Sequence, residues 1–168
     1  LDELVTAIRA ETERPLVVKL TPNVPDVGDY ARICQDAGAD GLSAINTLPG
    51  MVVDIDQRVP LIGNQSGGVS GPAILPMGVY ATWRARQACT LPIMGIGGIR
   101  NATDAIQYIL AGACLVQVGT ASFVDPYAAM NVHEGIQKYL TENGIAQLSD
   151  LVGSLQTEET PTPPAPSG

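Results

Sequence analysis

Short apolar runs that end on small or polar residues recur four times along this chain. They are "PLVVKLT" (Pro15–Thr21), "GLSAINT" (Gly41–Thr47), "PIMGIGG" (Pro92–Gly98) and "CLVQVGT" (Cys114–Thr120). Helical periodicity fills Asp26–Ala37, Ala102–Leu110 and Pro126–Glu142, and a further helix is expected near Ala73–Cys89. The segments "DAGADGL" and "LAGACLV" each place a Gly after a last helical turn and a strand directly beyond it. Strands that alternate with helices pair in parallel through right-handed crossovers, because only such a connection packs back on the sheet. Aromatic residues are scarce and Ala, Val, Ile, Leu and Gly abundant, which favours strands buried on both faces.

Two architectures accept this pattern, an open doubly wound sheet and a (β/α)8 barrel, and both bind ligands at the carboxyl ends of their strands. The polar and Gly positions lie at those ends: Lys19, Asn46-Thr47, Gly97-Gly98 and Gly119-Thr120. Two successive strands ending on Gly-containing loops, one unit apart, match the usual phosphate site of the barrel. A complete barrel takes about 250 residues, so four units are expected to form half of a (β/α)8 barrel. Between the second and third strands, "MVVDIDQRVPLIGN" alternates like a small hairpin, and the Gly-rich "QSGGVSGP" follows it.

Charge and cysteine usage narrow the function classes. The net charge is −8 with only two Lys, the reverse of a nucleic-acid footprint. Cys34, Cys89 and Cys114 show neither CxxC nor Cys/His spacing, so neither a disulfide framework nor a zinc site is expected. No leader pattern opens the chain and no apolar stretch approaches about 18 residues. A cytoplasmic protein with reduced thiols and no membrane span is the expectation. Leu1, Leu4, Val5 and Ile8 share one helical face, and with no N-cap or Met ahead of them the chain reads as a piece of something longer. Residues 1–155 are expected to belong to the barrel, and the Pro-rich stretch 156–168 to be a disordered tail.

Lys19 interrupts an apolar strand. Either it snorkels at the strand end or it points a cation at an electron-rich ligand. Asn46 and Thr47 either open a loop or present a directed donor–acceptor pair. "GGVSGP" (Gly67–Pro72) suits close backbone approach to a flat or phosphorylated ligand, with a mobile loop as the alternative. Asp54 and Asp56 resemble the start of a calcium loop, but the later ligands are missing and a solvated hairpin face is expected. His133 is expected on the surface of the last helix.

The ordered set "VVKLTPNV", "GADGL", "INTLPGM", "GGVSGPAI", "GIGGI", "AGACLVQVGTASFVDP" and "LVGSL" resembles dihydroorotate dehydrogenase, over roughly Pro15 to Leu155. The likeness is to the C-terminal half of the class 1 catalytic subunit, nearest the 1B branch. It implies an FMN-holding (β/α)8 barrel that oxidises dihydroorotate to orotate in pyrimidine (UMP) synthesis, with this chain as the C-terminal half of the (β/α)8 barrel. By the same resemblance, Lys19 lies against the flavin, where its charge offsets the negative charge the ring gains. Ile45 and Gly71 pack on the cofactor, and Asn46 and Thr47 hydrogen-bond the pyrimidine. Gly97, Gly98, Gly119 and Thr120 cradle the FMN phosphate.

The resemblance also implies a homodimer and, for the 1B branch, a partner subunit carrying FAD and an iron–sulfur cluster, with NAD as acceptor. The class 1 Cys base sits on a loop ahead of the Lys-bearing strand, and none of the three Cys here occupies that position. This chain alone is therefore expected to be inactive. Two alternatives stand beside this reading: the flavin domain of a dihydropyrimidine dehydrogenase-like enzyme, and a non-catalytic flavin- or phosphate-binding half-barrel.

Overall fold

A computed structural model describes residues 1–157. The tail expected from residue 156 onward therefore lies, but for Gln156 and Thr157, outside the described residues. In chain order the regular elements begin with α1 (Asp2–Ala10), β1 (Val17–Leu20), α2 (Val27–Asp36), β2 (Gly41–Ala44), β3 (Leu48–Gly50) and β4 (Val53–Asp54). They continue with β5 (Val59–Pro60), β6 (Gly67–Val69), α3 (Leu75–Ala88), β7 (Ile93–Ile96), α4 (Ala102–Ala111), β8 (Leu115–Gln117) and α5 (Ala128–Glu142). Single 3-10 turns cover Pro72–Ile74, Thr120–Phe123 and Leu148–Leu151.

β1, β2, β7 and β8 form one parallel sheet in that order, as the alternation of strands and helices requires. The register sets Lys19 beside Ser43 and Ser43 beside Met94, so these three side chains share one face. Gln117 joins them: its Nε2 donates to Ser43 Oγ at 3.0 Å and approaches Met94 Sδ at 3.4 Å. The opposite face, with Leu42, Ala44 and Ile93, packs on Ala81 and Ala85 of α3 and on Ala31 and Cys34 of α2. Small residues on both layers let helices and sheet approach closely.

Two of the helices begin where a side chain satisfies an orphan N–H group. The Asp26 carboxylate accepts from Gly28 N–H and caps α2, and Asn101 does the same for α4 by accepting from Asp104 N–H. Asp26 also binds the Arg84 guanidinium, which ties α2 to α3. Arg9 reaches from α1 to Asp40 at 2.7 Å, and Asp40 accepts from Leu16 N–H, so one carboxylate joins the first helix to the entry of β1.

The exposure of α1 is a further finding, and two expectations need correction. Of the apolar stripe of α1, only Val5 is buried, while Leu1, Leu4 and Ile8 face solvent because the described residues place no second layer over them. The expected strands are shorter than drawn, since pairing stops at Leu20, Ala44, Ile96 and Gln117 and the residues beyond turn away as loops. The Gly-rich stretch holds a strand, β6, paired antiparallel with β3. A Cβ at Gly68 would collide with the Thr47 side chain and one at Gly50 with Val69. These glycines permit a tight ribbon, whereas ligand approach is left to Gly71. The expected hairpin is present as β4 and β5, its turn closed by Asp54 Oδ1 accepting from Asp56 and Gln57 N–H at 2.9 Å.

The edge strands stay open among the described residues: Val17 on β1 is 39% and Leu115 on β8 is 58% exposed, whereas every residue of central β2 is buried. No helix among the described residues is long and apolar enough to cross a membrane. Unpaired apolar edges template association. The 168-residue chain by itself should elute from size-exclusion chromatography well ahead of a 17.5 kDa monomer. Leu115→Lys, which charges the β8 edge, should move it toward the monomer position. A sharp monomer peak for the unsubstituted chain would contradict this.

Candidate functional site

A cavity of about 370 Å³ lies at the carboxyl ends of the four parallel strands, a size within the range of small-molecule sites. β1 contributes Lys19, the turn after β2 contributes Ile45, Asn46 and Thr47, and the loop after β6 contributes Gly71. The turn after β7 brings Gly97 and Gly98, and the turn after β8 brings Gly119 and Thr120. Every site residue expected from the sequence thus reaches one cavity, from five separate segments.

The loops are fixed by local chemistry. Gly97 and Gly98 have φ of +132° and +72°, conformations that a side chain strongly disfavours. A Cβ at Gly98 would also lie 2.8 Å from Leu75 N and 2.9 Å from Gly71 O. The Gly97–Gly98 turn is therefore pressed against the start of α3. Gly119 differs: a Cβ there meets nothing within 4 Å among the described residues. Its smallness has no packing reason and leaves the backbone open toward the cavity. Gly98 and Gly119 N–H donate to no protein acceptor among the described residues, so two strand ends offer free donors to the same space. The Thr120 hydroxyl donates to Ser70 Oγ at 3.0 Å and binds the Gly119 turn to the Gly71 loop.

Asn46 Oδ1 accepts from Thr47 N–H at 2.8 Å, which orients the amide and leaves its NH₂ without a protein acceptor among the described residues. Asn23 Nδ2 donates to Thr47 O at 3.3 Å and steadies the same turn from the β1 side. Ile45, 2% exposed, forms an apolar wall. Lys19 is exposed and pairs with no carboxylate among the described residues, so its charge remains available to a ligand.

Sequence reasoning missed Arg100 and Ser70, which also line the cavity. Arg100 Nε donates to Asp104 Oδ2 at 3.0 Å, and Asp104, almost fully buried, also accepts from Arg100 N–H. The Asp104 carboxylate holds the guanidinium firmly protonated. A signal existed, an Arg directly after "GIGGI", but a surface Arg beside a helix start is commonplace. Asp125, the one carboxylate on the lining, is engaged elsewhere: it accepts from Tyr127 N–H at 2.9 Å and Asn131 Nδ2 at 2.8 Å. The cavity is therefore a locally cationic region of an acidic chain.

None of the cysteines reaches it. Cys34 and Cys89 are buried between helices and sheet, and burial pushes both thiols up, away from the thiolate form. Cys114 stands at the opposite end of β8 from Gly119, its Sγ 3.5 Å from Ile93 O. His133 is exposed on α5.

The sequence model described as dihydroorotate dehydrogenase matches residues 1–140. The chain belongs to the dihydroorotate dehydrogenase family. It is 52% identical over 155 residues to the dihydroorotate dehydrogenase B (NAD(+)) catalytic subunit of Geotalea uraniireducens (strain Rf4), covering 92% of this chain and 51% of that protein. The protein of the same name from Trichlorobacter lovleyi is also 52% identical, over 153 residues, with 91% and 50% covered. A crystal structure of the Eimeria tenella dihydroorotate dehydrogenase in complex with ferulenol superposes with a TM-score of 0.77 at 26% identity, over 91% of this chain and 47% of that one. The chain spans about half the length of the curated relatives it matches. Its open sheet agrees with that share of a dihydroorotate dehydrogenase barrel.

The two glycine turns should respond differently to substitution. Gly98→Ala meets both a disfavoured φ and backbone atoms, so it should destabilise the fold by more than about 1 kcal/mol. Gly119→Ala should leave the thermal unfolding midpoint unchanged. Equal midpoints for the two variants would refute this account of the turns.

Proposed function

We propose that the protein carrying this chain is an FMN-dependent dihydroorotate dehydrogenase that oxidises dihydroorotate to orotate in pyrimidine synthesis. The observation that carries the reading is the convergence of Lys19, the Asn46-Thr47 turn and both glycine turns on one cavity at the strand ends of a member of this family. The residues fit a flavin nucleotide. Among the described residues, the Gly98 and Gly119 N–H groups have no protein acceptor and no side chain lies within 4 Å of a Cβ placed at Gly119, and Arg100 adds a cation to the lining of the same cavity. A phosphate dianion suits such a cluster of donors.

In this reading the Gly97-Gly98 and Gly119-Thr120 turns hold the phosphate, and Ile45 and Gly71 bracket the cofactor. When bound, FMN supplies a hydride acceptor for the saturated CH–CH bond of the substrate. Lys19 places a fixed positive charge where negative charge accumulates during transfer, an arrangement that lowers the barrier because it requires no solvent reorganisation. Asn46 and Thr47 orient the pyrimidine by hydrogen bonds. The substrate proton lost alongside the hydride requires a base, and the buried, pushed-up thiols of Cys34 and Cys89 do not qualify. Cys114, at the far end of β8, does not reach the cavity either, and in this reading the base is the class 1 Cys that the family resemblance implies outside this chain.

The name of the bacterial relatives, a catalytic subunit of NAD(+) type, supports a further subunit and NAD as acceptor; that this subunit carries FAD and an iron–sulfur cluster is what the family resemblance implies. A homodimer of the catalytic chain and a cytoplasmic location belong to the same proposal.

Two variants of the full-length protein test it. Gly119→Val should fold normally yet lose most of its FMN affinity, as read by flavin fluorescence on titration. Unchanged affinity would remove the phosphate from this turn. Lys19→Ala should slow flavin reduction by dihydroorotate roughly 10²-fold or more in stopped flow, with a much smaller effect on orotate binding, because the lost contact acts mainly in the transition state. Reduction at the unsubstituted rate would make Lys19 a structural residue.

A further inference from the structure

Tyr108 has no solvent exposure and is the largest of the fully buried side chains. It rises from α4 toward the sheet through a slot made by three glycines. A Cβ at Gly78 of α3, at Gly95 of β7 or at Gly97 would meet its ring or hydroxyl. At the end of the slot the hydroxyl donates to the Gly97 carbonyl at 2.8 Å. Burial pushes the pKa of the phenol well above its usual value, so the group remains a donor.

The geometry of the trans peptide gives this bond a consequence on the other side of the chain. The carbonyl of one residue and the N–H of the next point in opposite directions. With the Gly97 carbonyl drawn down to α4, the Gly98 N–H is turned up, where Gly98 lines the cavity and its N–H has no protein acceptor among the described residues. Two adjacent glycines would otherwise let this peptide rotate with little steric resistance. Rotation would exchange a donor for a carbonyl oxygen and set a partial negative charge against an anion.

We infer that Tyr108 is a positioning residue for phosphate recognition, its hydroxyl locking the Gly97–Gly98 peptide so that the Gly98 N–H faces the phosphate of the flavin nucleotide. The inference rests on the FMN reading above. Packing alone needs only the ring, which Phe would supply. The hydroxyl acts on the turn.

The test compares FMN with riboflavin, which lacks the phosphate, in the full-length protein and its Tyr108→Phe variant. The variant should bind FMN about tenfold more weakly, the scale of one hydrogen bond that leaves its acceptor buried, with riboflavin affinity unchanged. Equal losses for both ligands, or no loss for either, would overturn the inference. Unsubstituted protein that binds FMN and riboflavin equally would sink the phosphate reading, and this inference with it. A preference for FMN over riboflavin that is undiminished in Tyr108→Phe would sink the inference alone. Should the variant fail to fold, the unsubstituted protein decides by NMR: the Gly98 amide resonance should move on adding FMN and stay in place on adding riboflavin. A Gly98 amide that ignores FMN would overturn the assignment.

Discussion

The ring of Tyr108 stands between α3, α4 and β7, and the spacing of those three elements follows from it. Gly78, Gly95 and Gly97 lack side chains where the ring or hydroxyl comes closest, so helix, strand and turn all close on the same group. Ile99, Ala105, Ala113 and Val132 complete the packing around it. Because α4 is held at this height, the turn after β7 is carried to the mouth of the sheet, and the start of α3 is pressed against it. The cavity at the strand ends is thus shaped from below by a buried aromatic side chain rather than by the polar residues that line it.

The second constraint is the one-sidedness of the sheet. Its helix-facing side is filled by Leu42, Ala44 and Ile93, and the other side carries Lys19, Ser43, Met94 and Gln117. A polar and thioether cluster on one face of a buried parallel sheet is stable only if its members satisfy one another, and Gln117 does so by bonding Ser43. Lys19, beside Ser43 in the register, is left out of that exchange. A cation with no partner among the described residues, on the face that leads to the cavity, is what a ligand of opposite charge or high electron density requires. Carboxylates away from the cavity do not answer this charge, since Asp26 and Asp40 are each engaged by an Arg.

Much of this was legible in the residue order. The repeated apolar runs and helix-ending glycines gave four parallel units, and the positions of Lys19, Asn46, Gly97 and Gly119 at strand ends pointed to the cavity they line. Both follow from local rules: periodicity sets the element, and the residue after a strand's last pair must leave the ladder. The β3–β6 ribbon was not legible, because the two glycines of "GGV" carry neither alternation nor strand propensity and the segment is a strand only by pairing with Leu48–Gly50. Arg100 was missed for a similar reason, since its place depends on Asp104 one helical turn later.

The glycines mark the boundary between the two kinds of information. By itself the sequence determined that small residues stand at the ends of β7 and β8, and hence that backbone could approach a ligand there. It could not say which of them are small for a ligand and which for the fold. Tertiary structure decided that: Gly97 and Gly98 are confined by Tyr108, Leu75 and Gly71, while Gly119 opens on empty space. The distinction depends on what lies across the gap from each Cα, and that is set by the packing of segments distant in the chain.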